Sequence, residues 1–314
     1  MREITESLLK TSLYFIWYFR WLHFFFSEEG VVSKKIVFDL YRYQIIPISK
    51  QFQMRLDRTI DYKEVIKKKN ILFKQALLNA VFVHRRKKVQ KSMQIVSSEQ
   101  FYIVLGKELK IKVYDIKSNP EEVNSYPPTR IFIDNNPERQ LIAVERNGVF
   151  SKTESVIKMI FRCINNIINN EYLTSEYSPL YNEGTFWNFV HEHSGDISYI
   201  KFIFITPNMS NISDVLSTQI KQTAKNIKAA HTEMQFSASQ NASLSVDDSD
   251  ENFNGLVEYT ARGCGSVKVK AKSLKKCYLS GDNIDTIEAE DLEISGDLQS
   301  VFLTLRELTN GNSR

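Results

Sequence analysis

Two periodicities run through this chain without regular alternation, and that mixture constrains the fold more than any other feature. Lys35 to Ile46 (KIVFDLYRYQII) is rich in β-branched and aromatic residues and is closed by Pro47, the pattern of a strand. Tyr62 to Val81 carries Val65, Leu72, Leu77 and Leu78 among its apolar positions and reads as a helix. Strands are expected around Met93 to Val96 and Tyr102 to Val113. A hairpin is expected from Arg130 to Ile133 and Leu141 to Glu145, joined by Asn135-Asn136-Pro137. Ser151 to Glu154 has the form of a capping box, and Val156, Ile157, Ile160, Ile164, Ile167 and Ile168 follow at helical spacing. Ile197 to Thr206 reads as a buried strand closed by Pro207, and Ile212 to Ala230 as a second clear helix. Beyond a polar stretch, Ser237 to Asn254, come a short segment at Leu256 to Thr260 and a Gly263-Cys264-Gly265 turn. A strand at Ser266 to Lys272, an acidic strand-rich tail and a last helix near Leu298 to Leu308 complete the chain. Because no βαβ unit repeats, the expected class is α+β, with mixed, largely antiparallel sheets and packed helices.

Three units are expected: an apolar N-terminal helix at 1–30, an α+β domain at 31–195 and a second at 196–314. The 314 residues suffice for one large core or two ordinary ones, and 11 glycines with 7 prolines leave little room for long disordered linkers. Leu13 to Phe26 (LYFIWYFRWLHFFF) is almost wholly apolar. As a helix it spans about 21 Å, short of a bilayer core of roughly 30 Å, and Arg20 and His23 interrupt it. It reads first as a helix docking on the protein's own core. An interfacial anchor to a membrane or membrane-protein partner through residues 8–26 is the second reading, and a natural start further downstream the third. Cys163, Cys264 and Cys277, odd in number and widely spaced, form neither a disulfide framework nor a zinc pattern and fit a reducing cytoplasm.

The net charge of +4 is too small to point to a partner, but its distribution is informative. From Lys63 to Lys91 there are ten Lys or Arg against one acid, Glu64, with the densest run at Arg85, Arg86, Lys87 and Lys88. From Arg262 to Lys276 there are six and no acid. Within the second run SVKVKAK alternates strictly. On a strand it would turn Val267, Val269 and Ala271 to the core and line Lys268, Lys270 and Lys272 on the other face, about 6.6 Å apart. Such a row can follow a phosphate backbone, although a charged outer face is also what any half-exposed strand shows. Two uncompensated runs favour an anionic partner, nucleic acid above all, provided they converge on one surface. Seven acids and no base lie between Asp282 and Asp297, and these are expected to neutralise the basic strand before them.

No complete catalytic motif is present. His191-Glu192-His193 lacks a third ligand, and Asp250 to Ala261 imitates a calcium loop only until its twelfth place, where Ala261 stands instead of Glu. Asp134 and Glu145 are the best metal-nuclease pair, but Asn147 replaces the lysine of a Glu-x-Lys. On a hairpin the two acids would lie roughly 15–20 Å apart. Cys264 sits in a turn whose backbone N–H groups could lower its thiol pKa. Neither a P-loop nor a Gly-x-Ser-x-Gly occurs, Gly263-Cys264-Gly265 is too short for a dinucleotide fingerprint, and no cofactor is expected. Three functions are therefore in view: a non-enzymatic nucleic-acid binder, a metal-dependent nuclease, and an adaptor that self-associates or docks a partner.

The order of elements in the C-terminal half adds a resemblance. IKFIFITPNM (Ile200 to Met209) leads into the helix at Ile212 to Ala230, then the polar stretch, then GLVEYTARGCGSVKVKAK (Gly255 to Lys272). This order resembles that of phage-exclusion and phage-defence proteins of the RexA and KwaB kind, over about a quarter of the chain and without an invariant motif. The resemblance implies a bacterial cytoplasmic dimer, binding of double-stranded DNA without sequence preference, and a membrane-protein partner. It implies no catalytic residue.

Overall fold

The computed structural model describes residues 35–48, 62–205, 229, 231–290, 294 and 296–311. The apolar segment at 1–30 and all but one residue of the helix expected at 212–230 lie outside them. In chain order the elements are β1 (Lys35–Pro47), α1 (Tyr62–Asn79), β2 (Val83–His84), β3 (Lys87–Lys88), β4 (Gln90–Ile95), β5 (Gln100–Gly106), β6 (Leu109–Tyr114), β7 (Pro120–Ser125), β8 (Pro128–Asp134) and β9 (Leu141–Glu145). They continue with α2 (Thr153–Ile168), β10 (Leu173–Pro179), α3 (Glu183–Glu192), β11 (Ile197–Ile205), β12 (His231–Ser237), α4 (Glu251–Tyr259), a wide turn (Thr260–Cys264), β13 (Gly265–Ala271), β14 (Tyr278–Leu279), β15 (Thr286–Glu290) and α5 (Leu298–Gly311). The class is α+β, and every strand pairing among the described residues is antiparallel.

β1 is the spine of a seven-stranded sheet ordered β10-β1-β9-β8-β5-β4. One edge of β1 pairs with β9. Along the other edge, its first half takes β15 and its second half β10. The exchange happens at Leu40, whose N–H donates to Asp285 O (2.9 Å) and whose carbonyl accepts from Leu180 N (3.0 Å). Both faces of the sheet are buried, which explains why β1 reads as a near-continuous apolar run. Tyr41, Tyr43 and Ile45 face α1 and α2, together with Phe101, Ile103, Ile131, Ile133, Ile142 and Val144. Phe38 and Leu40 face the other way, with Phe132, Ile287 and the Val301, Phe302 and Leu305 of α5. The stripe of α2 is legible in sequence because Val156, Ile157, Ile160, Ile164 and Ile168 are all buried, each contributing about 1.5–3 kcal/mol of transfer free energy.

The second sheet runs β12-β11-β13-β14. Its inner face (Ile200, Phe202, Phe204, Val267, Val269) packs on Phe186 and Val190 of α3 and on Leu256 and Val257 of α4. The sheets do not divide the chain at residue 195: β15 and α5 return to the first sheet and its core, while α3, before that point, belongs to the second.

Two other expectations are corrected, and the short segment near Leu256 is assigned. The strand over Tyr102 to Val113 breaks at Gly106, after which β6 and β7 form a separate two-stranded arm. Leu256 to Tyr259 fall in α4, which is begun by Asp250, whose carboxylate accepts from Asn252 N (2.9 Å) and Phe253 N (3.1 Å), and Thr260 opens the wide turn. The capping box at Ser151 does not form. Ser151 is left-handed (φ 72°), Lys152 stands at the N-cap without a side-chain bond, and the Thr153 hydroxyl donates to Asp39 instead.

Candidate nucleic-acid interface

The densest basic run folds into a minimal hairpin. Val83 pairs with Lys88 and His84 with Lys87, leaving Arg85 and Arg86 as a two-residue loop. Both arginines have positive φ, 46° and 67°, the geometry of a type I′ turn. Asn-Gly adopts that turn at little cost, whereas ordinary L residues pay on the order of 1 kcal/mol each. The hairpin is held from below: Phe82 and Val89 are buried in the core of the helix side, and Val89 N donates to Phe82 O (2.9 Å). Arg85, Arg86, Lys87 and Lys88 are all exposed.

Other cations close on this hairpin. The Arg162 guanidinium of α2 donates to the Val83 carbonyl, and Lys158, one turn earlier, is exposed on the same helical face. Lys107, just past β5, donates to Val149 O (3.0 Å) and lies 5.6 Å from the centre of the Phe150 ring, which His84 meets edge-on at 5.3 Å. His84 registers the resulting field. Its pKa is held below the ordinary histidine value by partial burial first, and then by Lys107, Arg85 and Arg162. The acid seen here is Glu108, 3.7 Å from Lys87 in an exposed pair that is worth little. Arg86 and Arg162 also share a shallow groove with Val81, Val83, Asn166 and Ile167. Sequence reading missed Lys107, Lys158 and Arg162. The i, i+4 spacing of Lys158 and Arg162 on the polar side of α2 was the available signal.

The lysine strand has the expected alternation. Val267, Val269 and Ala271 are buried, Lys268 and Lys270 are half-buried, and Lys272 is exposed. Two of its three ammonium groups are nevertheless occupied. Lys270 Nζ donates to the carbonyls of Leu274 and Lys275 (3.2 Å to the latter), and Lys272 Nζ to Ala242 O (2.7 Å) and Ser243 Oγ (3.1 Å). They brace the loops on either side, because carbonyls left unpaired at the strand end need donors. The two basic elements also fail to converge. The hairpin is anchored on the helix face of the large sheet, whereas β13 rises from the turn seated against Arg42 and Leu180 on the opposite face. Among the described residues the acidic segment forms no ion pair with β13 either: β15 pairs with β1, and Glu288 meets Lys35 at 3.0 Å.

The catalytic candidates are accounted for by local bonding. Asp134 accepts from Arg139 Nε (2.7 Å) and Nη2 (3.4 Å), and Glu145 accepts from Arg130 N (2.8 Å) and Nη1 (3.2 Å). The β8–β9 register sets them four residues apart along the ladder, roughly 13 Å. Among the described residues no three or more His, Cys, Asp or Glu cluster to hold a metal. His191 stacks on Trp187 and approaches Asp248 (3.4 Å), while His193 stacks on Phe189 and caps α3. Cys264 is fully buried, and burial pushes its thiol up to about 11, opposite to the activation its turn suggested. Its glycine neighbours serve packing: a Cβ at Gly263 would sit 2.6 Å from Arg42 Cβ, and one at Gly265 2.1 Å from Ile203 O. A cleft at the start of α2 holds a closed network in which Asp39 accepts from Arg146 Nε (2.9 Å) and Thr153, and Thr153 Oγ1 meets Tyr41 Oη at 2.8 Å.

The chain has no significant match among protein-family models, curated proteins or solved structures. Among the described residues no helix is long and apolar enough to cross a membrane.

Proposed function

We propose that this protein binds nucleic acid, double-stranded DNA foremost, through phosphate contacts from the β2–β3 hairpin and the outer face of α2, without catalysing a reaction. One observation carries the reading: the Arg85-Arg86 loop, Arg162 on the Val83 carbonyl, and Lys107 against the Phe150 ring that His84 also meets all close on one hairpin. Two arginines held in a turn that disfavours them point the same way. Contacts of this kind fix position on a duplex without reading bases, so binding is weakly sequence-specific and steeply salt-dependent. The lysine strand stands apart from this surface: Lys270 and Lys272 brace their loops, and Lys268 lies against the Tyr199 hydroxyl. Fluorescence anisotropy with a duplex of arbitrary sequence, titrated at several salt concentrations, tests the reading. A place in phage defence rests on the element order of residues 200–272 and is tested by plaque counts on cells carrying or lacking the gene.

The β6–β7 arm favours a second reading, an adaptor that docks a protein partner or a second copy. It exposes Ile111, Val113, Tyr114 and, at its tip, Ile116. The tip is nonetheless well built: Asp115 Oδ1 accepts from Lys117 N and Asn119 N, both at 2.8 Å. A two-stranded ribbon alone is marginal in water, and its charges balance, Lys110, Lys112 and Lys117 against Asp115, Glu121 and Glu122. Solution mass with and without Ile111→Lys and Ile116→Lys tests self-association through it.

A further inference from the structure

Beside the β2–β3 hairpin the basic surface is concave and partly apolar. Ala80 and Phe82 are buried, and Val81 between them is turned outward, 57% exposed. On α2, Lys158, Arg162 and Asn166 recur every four residues and are all exposed, the polar counterpart of the stripe that meets the core. Val81, Val83 and Ile167 wall a groove of about 440 Å³, and Arg86, Arg162 and Asn166 line it with them. Among the described residues no carboxylate lines the groove. Arg162 uses one guanidinium nitrogen on the Val83 carbonyl, which leaves its other donors. Among the described residues Arg86 and Asn166 make no side-chain hydrogen bond or ion pair.

Contacts to phosphates alone need cations on a surface; they need neither a groove nor an apolar wall beside it. The volume falls in the lower part of the range of about 300–1,000 Å³ that small-ligand sites occupy. A stacked duplex keeps the faces of its bases covered, so only an unpaired base can enter such a space. Extruding one from a paired duplex costs its pairing and stacking, and a base in a single-stranded overhang has already lost its pairing. Resting on the phosphate-binding reading of the hairpin and α2, we propose that this groove takes one unpaired base, so that the preferred ligand is a duplex ending in a single-stranded overhang. Arg86 and Arg162 hold the phosphates flanking that nucleotide. A guanidinium plane and the Val81, Val83 and Ile167 side chains cover the face of the base. The Asn166 amide pairs with its edge, the nitrogen donating and the oxygen accepting. Each base offers a neighbouring donor and acceptor on its Watson–Crick edge. The groove therefore separates unpaired from paired bases and reads base identity weakly.

The test is fluorescence anisotropy of the whole chain at fixed salt on one labelled duplex with three kinds of end: blunt, a short adenosine overhang, and an abasic overhang of the same length. Both overhangs are made in each polarity. The abasic strand carries the same phosphates and no bases, so it isolates the base contact from the charge. The wild type should bind the adenosine overhang of at least one polarity about tenfold tighter than its abasic counterpart, the lower part of the range for one stacked base. In Asn166→Ala and, separately, in Val81→Ser that ratio should fall towards one. Because both ligands are measured on the same protein, a change in overall affinity does not enter the ratio. Equal affinity of the wild type for adenosine and abasic overhangs, or an unchanged ratio in either variant, would overturn this inference. Salt-sensitive binding of the blunt duplex would then still leave the hairpin surface in place. No binding to any of the three duplexes would overturn both.

Discussion

Replacing Arg85 by Asn and Arg86 by Gly should make the protein more stable and a poorer binder at the same time. The loop of the β2–β3 hairpin holds both residues at positive φ, 46° and 67°. A left-handed conformation costs an L residue about 1–2 kcal/mol relative to glycine, with Asn bearing less of it than Arg. Relief at the two positions therefore sums to about 1–2 kcal/mol, and Asn-Gly is the pair this turn favours. Neither arginine side chain makes a hydrogen bond or ion pair among the described residues that would be lost. Urea unfolding should show a higher midpoint with an unchanged slope, the mark of a stability change without a change in exposed surface. Binding should move the other way. Each phosphate contact contributes about 0.9 to the slope of log K against log salt, so losing two lowers the slope by about 1.8. That corresponds to roughly 60-fold in affinity at about 0.1 M salt, fading towards 1 M. An unchanged or lower midpoint would refute the strain argument. An unchanged salt slope would remove the hairpin from the interface.

Three further outcomes follow from the same geometry. His84 titrates low because it is partly buried beside Lys107, Arg85 and Arg162; bound phosphates should offset those cations and raise its pKa, so binding takes up a proton. Affinity for duplex should then rise as pH falls from about 7.5 to 5.5, and substitution of His84 by Gln should flatten that dependence while leaving the salt slope intact. With its thiol pushed up to about 11, Cys264 should resist alkylation at neutral pH while half-buried Cys277 labels first, as mass spectrometry of the native protein would show; equal labelling would contradict its burial. Gly265→Ala brings a Cβ to 2.1 Å from Ile203 O and should cost about 3 kcal/mol or more, read as a drop in the urea midpoint; a neutral result would mean the β11–β13 contact is looser than described.

Most of the elements were legible wherever a periodicity was long and one-sided. The stripe of α2, the apolar run of β1 and the alternation of β13 each reflect which side chains meet a core, and the core follows from pattern alone. Pairing over long distance was not legible. β15 lies about 250 residues from its partner in β1, and its acids gave no hint that Glu288 would meet Lys35 instead of the nearby lysine strand. The β6–β7 arm was merged with β5 because LKIKVY carries a strand pattern whether or not anything covers it. Half of the candidate interface, Arg85 to Lys88, was visible as a charge run. Lys107, Lys158 and Arg162 were not, since the fold draws them together from two other elements. The reverse error, counting Lys270 and Lys272 as free, arose because sequence shows a side chain's charge but not the carbonyls that hold it. The burial of Arg42 had no signal of its own: an arginine in a strand reads as an outward-facing residue until the Thr260–Cys264 turn is seen to cover it.

The central claim is that the hairpin and α2 together form a phosphate-binding surface. It is tested most directly by duplex binding, measured by anisotropy across a salt series, for the wild type and for Arg162→Ala combined with Lys158→Ala. The account predicts salt-sensitive binding of intact DNA with no need for Mg²⁺, and a slope reduced by about 1.8 in the double variant, as for two lost phosphate contacts. Mg²⁺-dependent cleavage, binding that ignores both α2 cations, or no binding at low salt would contradict it. The last of these would leave the exposed β6–β7 arm, and a protein partner, as the reading to pursue.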